Sequence, residues 1–442
     1  MKVERTWYAA DKTGFHMLHT LFQTSLKHPS IERFDEFYTT DLLVVDGRCR
    51  GVAAIEMRSG QLRLFRAKAV IIATGGAGRI FPFTTNGAIK TGDGMAMAYR
   101  AGVPLKDMEF VQYHPTGLPG TGILITEGSR GEGGILVNKD GYRYLQDYGL
   151  GPPDPWPRKK AMELGPRDRL SQAFWHEHQK GRTIDTPHGD IVHLDLRHLG
   201  EKLINERLPM VRDLAISYVG VDPVHAPIPV RPVVHYTMGG IDTDIDARTA
   251  LDGLFAAGEC ACVSINGANR LGSNSLTELL VFGARAGMGA VTLAEAEAVH
   301  ADEAAICEAA AGAQNRVGQL FQNAGGGESV AGLRREMNVT MEAGAGIYRS
   351  NESLRQSCAT MNDILGRYAD IELVDKSNVY NTDLIQALEL GAMIDVAGAI
   401  IVSALERKES RGSHQRLDHE QRNDVAYLKH SLAYHAVGAN SR

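Results

Sequence analysis

The sequence predicts an α/β protein with an inserted α+β domain and a helical C-terminal region. Short apolar segments separated by glycine-containing turns fill residues 41–73, and strand-like segments return between 236 and 257. Residues 108–233 mix short strands, helices and many prolines, which indicates a separate domain. From about residue 297 the pattern is almost entirely helical, interrupted by the glycine run 325–327.

The N-terminal elements follow from apolar spacing and from turn residues. Residues 12–27 have their apolar side chains on one helical face, and residues 91–101 become helical after a glycine-rich opening. The pairs Asp46-Gly47 and Ser59-Gly60 predict tight turns between strands. The unbroken apolar run 69–73 is typical of a buried strand in a parallel sheet. The predicted strands of this region are 42–45, 52–55, 62–65 and 69–73.

The C-terminal elements are predominantly helical. A short strand at 254–257 precedes a polar turn, and a helix is expected to begin near Ser275. The further predicted helices are 301–313, 331–342, 352–368 and 382–407.

Composition places limits on the possible functions. The chain has 442 residues, enough for two or three domains, and a formal net charge of −6, which gives no basis for expecting nucleic-acid binding. No uncharged apolar run reaches the roughly 18 residues of a spanning helix, and no signal sequence is recognised. The five cysteines are scattered and odd in number, which favours a reducing compartment without disulfides.

Residues 265–276 form the most informative segment. Here Arg270 lies among two glycines, three asparagines and two serines, between a strand and an apolar helix. A polar turn at a helix N-terminus presents backbone N–H groups and a positive dipole end to an anion. The alternative is an arginine with a purely structural role.

The phosphate-binding loop of a nucleotide-binding α/β domain is not found. Such a domain usually carries G-x-G-x-x-G after its first strand. Residues 76–78 (Gly-Ala-Gly) come close, but they lack the third glycine and a following helix.

Six motifs follow one another along the chain. They are ATGGAG (73–78), TGDG (91–94), QYHPTG (112–117), TEGSRGEGG (126–134), HYTMGG (235–240) and INGANRLGSNSL (265–276). In this order they resemble the flavoproteins of the succinate dehydrogenase/fumarate reductase/L-aspartate oxidase family. Within that family the segment 4–13 and Thr237 look closer to the fumarate reductases, and the resemblance extends over essentially the whole chain.

The resemblance implies three domains. Residues 1–107 and 234–296 would form an FAD-binding doubly wound α/β domain that lacks its first βαβ unit, so the chain is expected to be truncated at its N-terminus. Residues 108–233 would form the inserted α+β capping domain that contributes to the substrate site. Residues 297–442 would form the C-terminal helical domain.

The resemblance also implies a substrate site for fumarate or succinate. His114, Thr126, His235 and Arg270 match the family's substrate-binding positions, and this set suits a dianion because it supplies cations and donors for both carboxylates. Each has a plainer interpretation: His114 as a satisfied loop residue, and Thr126 as a turn cap.

Arg167 matches the family's proton donor. Arginine is a weak acid, so a relay must reprotonate it, and Glu127 and Arg130 match that relay. The plainer interpretations are a surface ion pair between Arg167 and Asp168, and a solvated pair between Glu127 and Arg130.

Four residues match FAD-binding positions of the family. Asp93 and Glu259 suit a hydroxyl-rich cofactor, although both could simply stabilise turns. Ser275 and Leu276 lie at a helix N-terminus, where backbone N–H groups can bond the flavin and its dipole can stabilise the anionic reduced form.

The implied function is interconversion of fumarate and succinate, with hydride transfer from reduced FAD and electrons from a quinol through an iron–sulfur subunit. Membrane anchor subunits would hold the complex at the cytoplasmic face of the inner membrane. The alternatives are a succinate dehydrogenase flavoprotein and a truncated, non-catalytic fragment without FAD. No metal site is predicted, and Cys260 and Cys262 are expected to be packed thiols.

Overall fold

The computed structural model describes residues 8–150, 162–297, 302–323 and 327–436. Part of the segment 4–13 that resembles the fumarate reductases, residues 4–7, lies outside the described residues, as do glycines 325 and 326. The ends of the first and third predicted domains, 1–7 and 437–442, also lie outside them.

The strands form small sheets, in the orders β1-β2-β3, β12-β10-β5-β13, β11-β4 and β6-β9-β8-β7. Their bounds are β1 Phe37–Val45, β2 Arg48–Glu56, β3 Gln61–Arg66, β4 Val70–Ile72, β5 Leu105–Lys106, β6 Val111–Gly117, β7 Ile135–Val137, β8 Val192–Asp195, β9 Ile228–Thr237, β10 Gly240–Asp242, β11 Leu254–Ala256, β12 Ala261–Cys262 and β13 Leu432–Ala433.

The helices dominate the second half of the chain. Their bounds are α1 Thr13–Ser25, α2 Asp93–Arg100, α3 Glu127–Gly131, α4 Arg167–Gln179, α5 Gly200–Arg207, α6 Pro209–Val219, α7 Asn274–Ala296, α8 Glu303–Gln322, α9 Val330–Ala345, α10 Asn351–Tyr368, α11 Thr382–Glu406 and α12 Asp424–Tyr427. The helix predicted at 301–313 therefore extends to Gln322.

The meander β1-β2-β3 arises from its turn residues. Asp46 and Gly47 have φ values of 51° and 70°, the left-handed pair that a two-residue hairpin of type I′ requires. The antiparallel ladder then pairs Val45 with Arg48 and continues to Phe37 and Glu56. The predicted turn is confirmed.

The expectation that β4 is a fully buried strand is wrong. β4 pairs in parallel with β11, as expected, but Ile71 is 39% exposed. Within the described residues β11 is the strand beside β4, so the two-stranded sheet leaves part of this strand uncovered.

The described residues form two main hydrophobic cores. The larger one joins β-strand residues such as Ile72 and Ile241 to helical residues such as Met337 and Ile400, so the first and third predicted domains share one core. The second core consists of residues between Leu118 and Val230.

Strand β9 joins the region of the second core to the rest of the molecule. It pairs with β8 at its start and with β6 along its remainder. The predicted boundary between 233 and 234 falls inside β9, because one continuous strand serves both regions.

Two described helices, α7 and α11, are long and apolar enough to cross a membrane by length and composition alone. In α11, 67% of the apolar window is buried inside the protein, as in the core helix of a globular domain. In α7 only 11% of that window is buried.

Candidate functional site

Strands β6 and β9 bring two histidines together. In their antiparallel ladder His114 lies opposite Val233, and register shifts on both sides of the pair Tyr113–His114 re-aim the side chains. As a result the rings of His114 and His235 lie 5.2 Å apart between centroids.

Two helix N-termini supply the next groups. Thr126 is the N-cap of α3, and its hydroxyl accepts a 3.4 Å hydrogen bond from the Gly128 N–H. Arg167 is the first residue of α4, and both its Nε and its Nη2 donate to Glu127 Oε2 at 3.0 Å. This pairing joins the two helix ends.

Arg270 is almost completely buried, with 3% of its surface exposed. Its guanidinium lies 4.3 Å from the centre of the Tyr236 ring, and its Nη1 donates to the Leu271 carbonyl and to Ser275 Oγ. Burial and the nearby Arg167 lower the pKa of Arg270 to about 10, so it remains a cation at neutral pH.

A cavity of about 320 Å³ lies beside these groups, although His235 and Arg270 are not among the residues that line it. His114, Thr126, Glu127 and Arg167 line it, together with Gly272 from the turn that follows Arg270. The turn fits closely, because a Cβ on Gly272 would lie 3.0 Å from Glu127 Oε1.

Several buried polar atoms around this cluster have no hydrogen-bond partner among the described residues. They are His114 Nε2, Arg270 Nε, Nε and Nη2 of Arg130, and Ser129 Oγ. A buried donor without an acceptor is costly, so such a group suits a site that binds a ligand with acceptor atoms. The chemistry of these atoms suits an anion.

The tautomer of His114 follows from its neighbours. The Thr116 N–H can only donate, and it points at His114 Nδ1 over 3.3 Å. The Thr116 hydroxyl lies at the same distance from Nδ1, but its own hydrogen goes to the Ile125 carbonyl at 2.8 Å. The backbone contact favours Nδ1 as the acceptor, with the proton on Nε2. Burial, followed by the charge of Arg167, lowers the pKa of His114 well below its usual range. A neutral His114 therefore presents an N–H donor through Nε2.

His235 has a similar electrostatic environment. Burial, then Arg167 and Arg270, lower its pKa well below the usual range. Both histidines are neutral at pH 7, and the positive charge of the cluster resides on the arginines.

The predicted relay residues lie next to one another. Glu127 Oε2 accepts a hydrogen bond from Arg167 and lies 3.8 Å from Arg130 Nη2, which is ion-pair distance and longer than a hydrogen bond. Although burial opposes it, the two arginines lower the pKa of Glu127 and hold it as a carboxylate. Arg130 is 1% exposed, so the interpretation of Glu127 and Arg130 as a solvated pair is wrong.

The geometry also tests the purely structural interpretations of Arg167, His114 and Thr126. Arg167 is 8% exposed and pairs with Glu127, while Asp168 accepts from Asn269 Nδ2, so these two do not form a surface ion pair. His114 lies on a strand with an unsatisfied nitrogen, so it is not a satisfied loop residue. Thr126 does cap a turn, and it lines the cavity as well.

Sequence reasoning assigned no role to Gln112 or Asn269. Gln112 Oε1 accepts from Arg167 at 3.2 Å, and its Nε2 donates to Asn269 Oδ1 and to the Arg270 carbonyl, both at 2.7 Å. Gln112 thus links the two key arginines. The available signal was its position two residues before His114, on the same face of a strand.

Glu259 lies against the glycine turn of residues 75–76. Its Oε1 accepts from the Thr237 N–H at 3.0 Å, and a Cβ on Gly76 would lie 2.3 Å from that oxygen. Burial raises the pKa of Glu259 to about 7. A carboxyl group packed against a glycine backbone suits a ligand rich in hydroxyl groups.

Ser275 and Leu276 lie in the first turn of α7, which begins at Asn274 rather than Ser275. Ser275 Oγ accepts a hydrogen bond from Arg270, so this helix end adjoins the cluster of arginines and histidines. Asp93 lies apart from it, at the start of α2, where Tyr38 and Thr91 donate to its carboxylate at 2.9 and 2.6 Å.

Cys260 and Cys262 are buried thiols, as expected. The Cys260 thiol contacts the Ile72 carbonyl at 3.3 Å, and burial raises the pKa of both side chains.

Comparison with known families matches two regions of the chain. Residues 1–276 match a family model described as an FAD binding domain. Residues 334–441 match one described as the fumarate reductase flavoprotein C-terminal domain.

Curated proteins match over nearly the full length of the chain. The fumarate reductase flavoprotein subunit of Serratia sp. is 59% identical over 98% of this chain and 73% of its own length, and that of Escherichia coli K12 is 58% identical over 100% and 74%. The succinate dehydrogenase flavoprotein subunit of Rickettsia conorii is 43% identical over 97% and 72%. This chain therefore spans about three quarters of the length of these relatives.

Solved structures agree in fold. A mutant form of Escherichia coli quinol fumarate reductase FrdA superposes with a TM-score of 0.95, at 58% identity over 99% of this chain and 75% of that one. A quinol-fumarate reductase with menaquinol molecules gives 0.94, at 59% identity over 98% and 76%. The α/β class with a C-terminal helical domain is confirmed, FAD is the cofactor, and the chain belongs to the fumarate reductase flavoprotein family of oxidoreductases.

Proposed function

We propose that this chain reduces fumarate to succinate at the cavity between α3, α4 and β6, with His114, Thr126, His235 and Arg270 binding the substrate and Arg167 donating the proton. The observation that carries this proposal is the group of buried donors without partners, His114 Nε2 and Arg270 Nε among them, around one cluster of arginines. A dicarboxylate supplies acceptors for these donors at both of its ends.

Charge in the cluster favours a dianion. Arg167, Arg130 and Arg270 all help to lower the pKa of His114, and Glu127 is the carboxylate that partners Arg167. Because the site is buried, these charges are weakly screened and attract the substrate strongly.

Each carboxylate has its own set of donors. Arg270 offers a planar fork, and its charge contributes to lowering the pKa of His235, so we assign both residues to the same end of the substrate. His114 and Thr126, on the cavity wall, would hold the other end and twist that carboxylate out of the alkene plane.

Arg167 is placed for proton donation by its partners. Glu127 holds Nε and Nη2, and Gln112 holds Nη1, which fixes the plane of the guanidinium. The line Arg167–Glu127–Arg130 gives a route by which the lost proton is replaced. Reduced FAD, when bound, would supply the hydride, and Arg167 would supply the proton that completes the reduction.

FAD is held, in this proposal, by Asp93, Glu259, Ser275 and Leu276. The fit is supported by the glycine turn against Glu259 and by the first turn of α7, whose dipole favours a negatively charged flavin. The α7 N-terminus adjoins Arg270, so the same turn would contact substrate and cofactor.

Two of the similar solved structures are of a quinol fumarate reductase, one of them with menaquinol molecules. We infer that this chain receives electrons from a quinol through an iron–sulfur subunit. Membrane anchor subunits would then hold the complex at the cytoplasmic face of the inner membrane.

Succinate dehydrogenase is the second candidate function. The identity of 43% with a succinate dehydrogenase flavoprotein, against 58–59% with fumarate reductases, favours fumarate reduction.

A single-turnover experiment tests the proposal. The purified chain, loaded with FAD and reduced without oxygen, is mixed with fumarate. Recovery of flavin absorbance with one succinate formed per flavin is expected. A colourless protein after FAD loading would favour the non-catalytic fragment, and a flavin that fumarate does not reoxidise would refute the proposed activity.

A further inference from the structure

The segment Thr84-Thr85-Asn86 makes several hydrogen bonds to the strand that carries His235. The Val234 carbonyl accepts both Thr84 Oγ1 and the Thr85 N–H at 2.9 Å, and the Val234 N–H donates to the Phe83 carbonyl at 2.8 Å. Asn86 Nδ2 donates to the His235 carbonyl at 3.1 Å. The backbone of 234–235 is therefore fixed from one side by this segment.

The contact of Thr85 with the side chain of His235 is different in kind. Its hydroxyl lies 2.7 Å from His235 Nδ1, a short hydrogen bond to the ring itself. This contact occupies Nδ1, and it can therefore decide which ring nitrogen bears the proton.

We propose that Thr85 is a positioning residue that donates its hydroxyl proton to His235 Nδ1 and thereby places the ring proton on Nε2. This inference rests on the proposed function, in which His235 binds a substrate carboxylate. A neutral histidine binds an anion only through an N–H, so with the proton on Nδ1 the bare Nε2 would repel the carboxylate.

The structure favours this direction of the hydrogen bond. A neutral ring is required by its surroundings, because burial, Arg167 and Arg270 all oppose its protonation. The described contacts of the Thr85 hydroxyl give its hydrogen no acceptor other than His235 Nδ1. Donation to Nδ1 satisfies both groups.

A different donor favours the same tautomer, with the proton on Nε2, at His114. There the Thr116 N–H, which cannot accept, points at Nδ1 and leaves the proton on Nε2. The paired rings, 5.2 Å apart, would then both present Nε2–H to one anion.

Thr85 lies outside every motif on which the family assignment was based. It is separated from His235 by 150 residues, so sequence spacing gives no indication of the contact. The loop that carries it is anchored elsewhere, since Asn86 Oδ1 accepts from the Gly78 N–H and Asn338 donates to the carbonyls of residues 79 and 80.

The test measures the tautomer directly. Nitrogen-15 NMR of the histidine rings distinguishes Nδ1–H from Nε2–H, and a His235→Gln variant assigns the signal. The wild-type chain is expected to show Nε2–H at His235. Thr85→Val, which removes the hydroxyl without changing the shape, is expected to give a mixture of tautomers, and Thr85→Ser should restore the wild-type signal.

The matched control is Thr84→Val, which removes a hydrogen bond to the same strand but does not touch the ring. It should leave the tautomer unchanged, which separates positioning from loop stability. A wild-type ring with the proton on Nδ1, or an unaltered signal in Thr85→Val, would overturn the inference.

Calorimetric titration with fumarate distinguishes this inference from the proposed function. Thr85→Val should bind about tenfold more weakly than wild type, the effect of one hydrogen bond, and Thr85→Ser should bind normally. If wild type binds no fumarate while the tautomers behave as expected, the proposed function fails and the positioning role of Thr85 stands. Equal affinity of Thr85→Val and a wild type that does bind would refute a role for Thr85 in binding.

Discussion

Replacement of Arg270 by lysine tests the two-point grip on the substrate. Arg270 is 3% exposed, and its guanidinium is oriented by the Tyr236 ring and by the Leu271 carbonyl. Lysine keeps the positive charge but loses the planar fork, so one of the two hydrogen bonds to a carboxylate is lost.

The expected loss follows from the value of one charge-assisted hydrogen bond. Such a bond contributes about 1.5–3 kcal/mol, and here no water replaces it because the side chain is buried. Fumarate affinity of Arg270→Lys should therefore fall by roughly 10- to 100-fold. The buried ammonium would also have a lowered pKa, so the loss should grow at alkaline pH.

Calorimetric titration of the purified chain with fumarate measures this loss. Arg285→Lys is the matched control. Arg285 lies on α7 with its side chain 38% exposed, and its ion pair with Asp246 is long, at 3.8 Å. The control should bind as wild type does. If Arg270→Lys also bound fumarate with unchanged affinity, the assignment of Arg270 as the carboxylate clamp would be wrong.

Three further predictions concern the cofactor side, pH and thiols. Gly76→Ala should weaken FAD binding, because the new Cβ would lie 2.3 Å from Glu259 Oε1, whereas Gly87→Ala, with open space around it, should not; flavin retention on gel filtration compares the two. Glu259 keeps its proton in the folded chain up to about pH 7 but loses it near pH 4.5 when unfolded, so stability should fall by on the order of 3 kcal/mol as pH rises through that window. Urea unfolding of Glu259→Gln should lack this fall, and an unchanged pH slope would contradict it. Ser129, which is buried beside the arginine cluster, has no thiol to react, so a maleimide should leave fumarate binding intact; inactivation that succinate prevents would count against this.

The fold was predictable where local chemistry decides it. The Asp46-Gly47 turn and the helical periodicity of α9 to α11 are properties of nearby residues, and they gave elements within a few residues of those observed. The exposure of Ile71 was not predictable, because it depends on which strands flank β4 rather than on the apolar run itself.

The site was predictable by resemblance and not by spacing. His114 and His235 are far apart in sequence, and only the β6–β9 register brings them together. Thr85 was missed because its role lies in a contact to the His235 ring that no local pattern encodes. Gln112 was missed because its position two residues before His114 does not reveal its hydrogen bond from Arg167.

The most direct test is the crystal structure of this chain soaked with fumarate. One carboxylate is expected on the Arg270 fork beside His235, and the other within hydrogen-bond distance of His114 Nε2 and Thr126. Arg167 is expected to face the double bond. Fumarate bound at any other place, with the donors around this cavity still unpaired, would contradict this expectation.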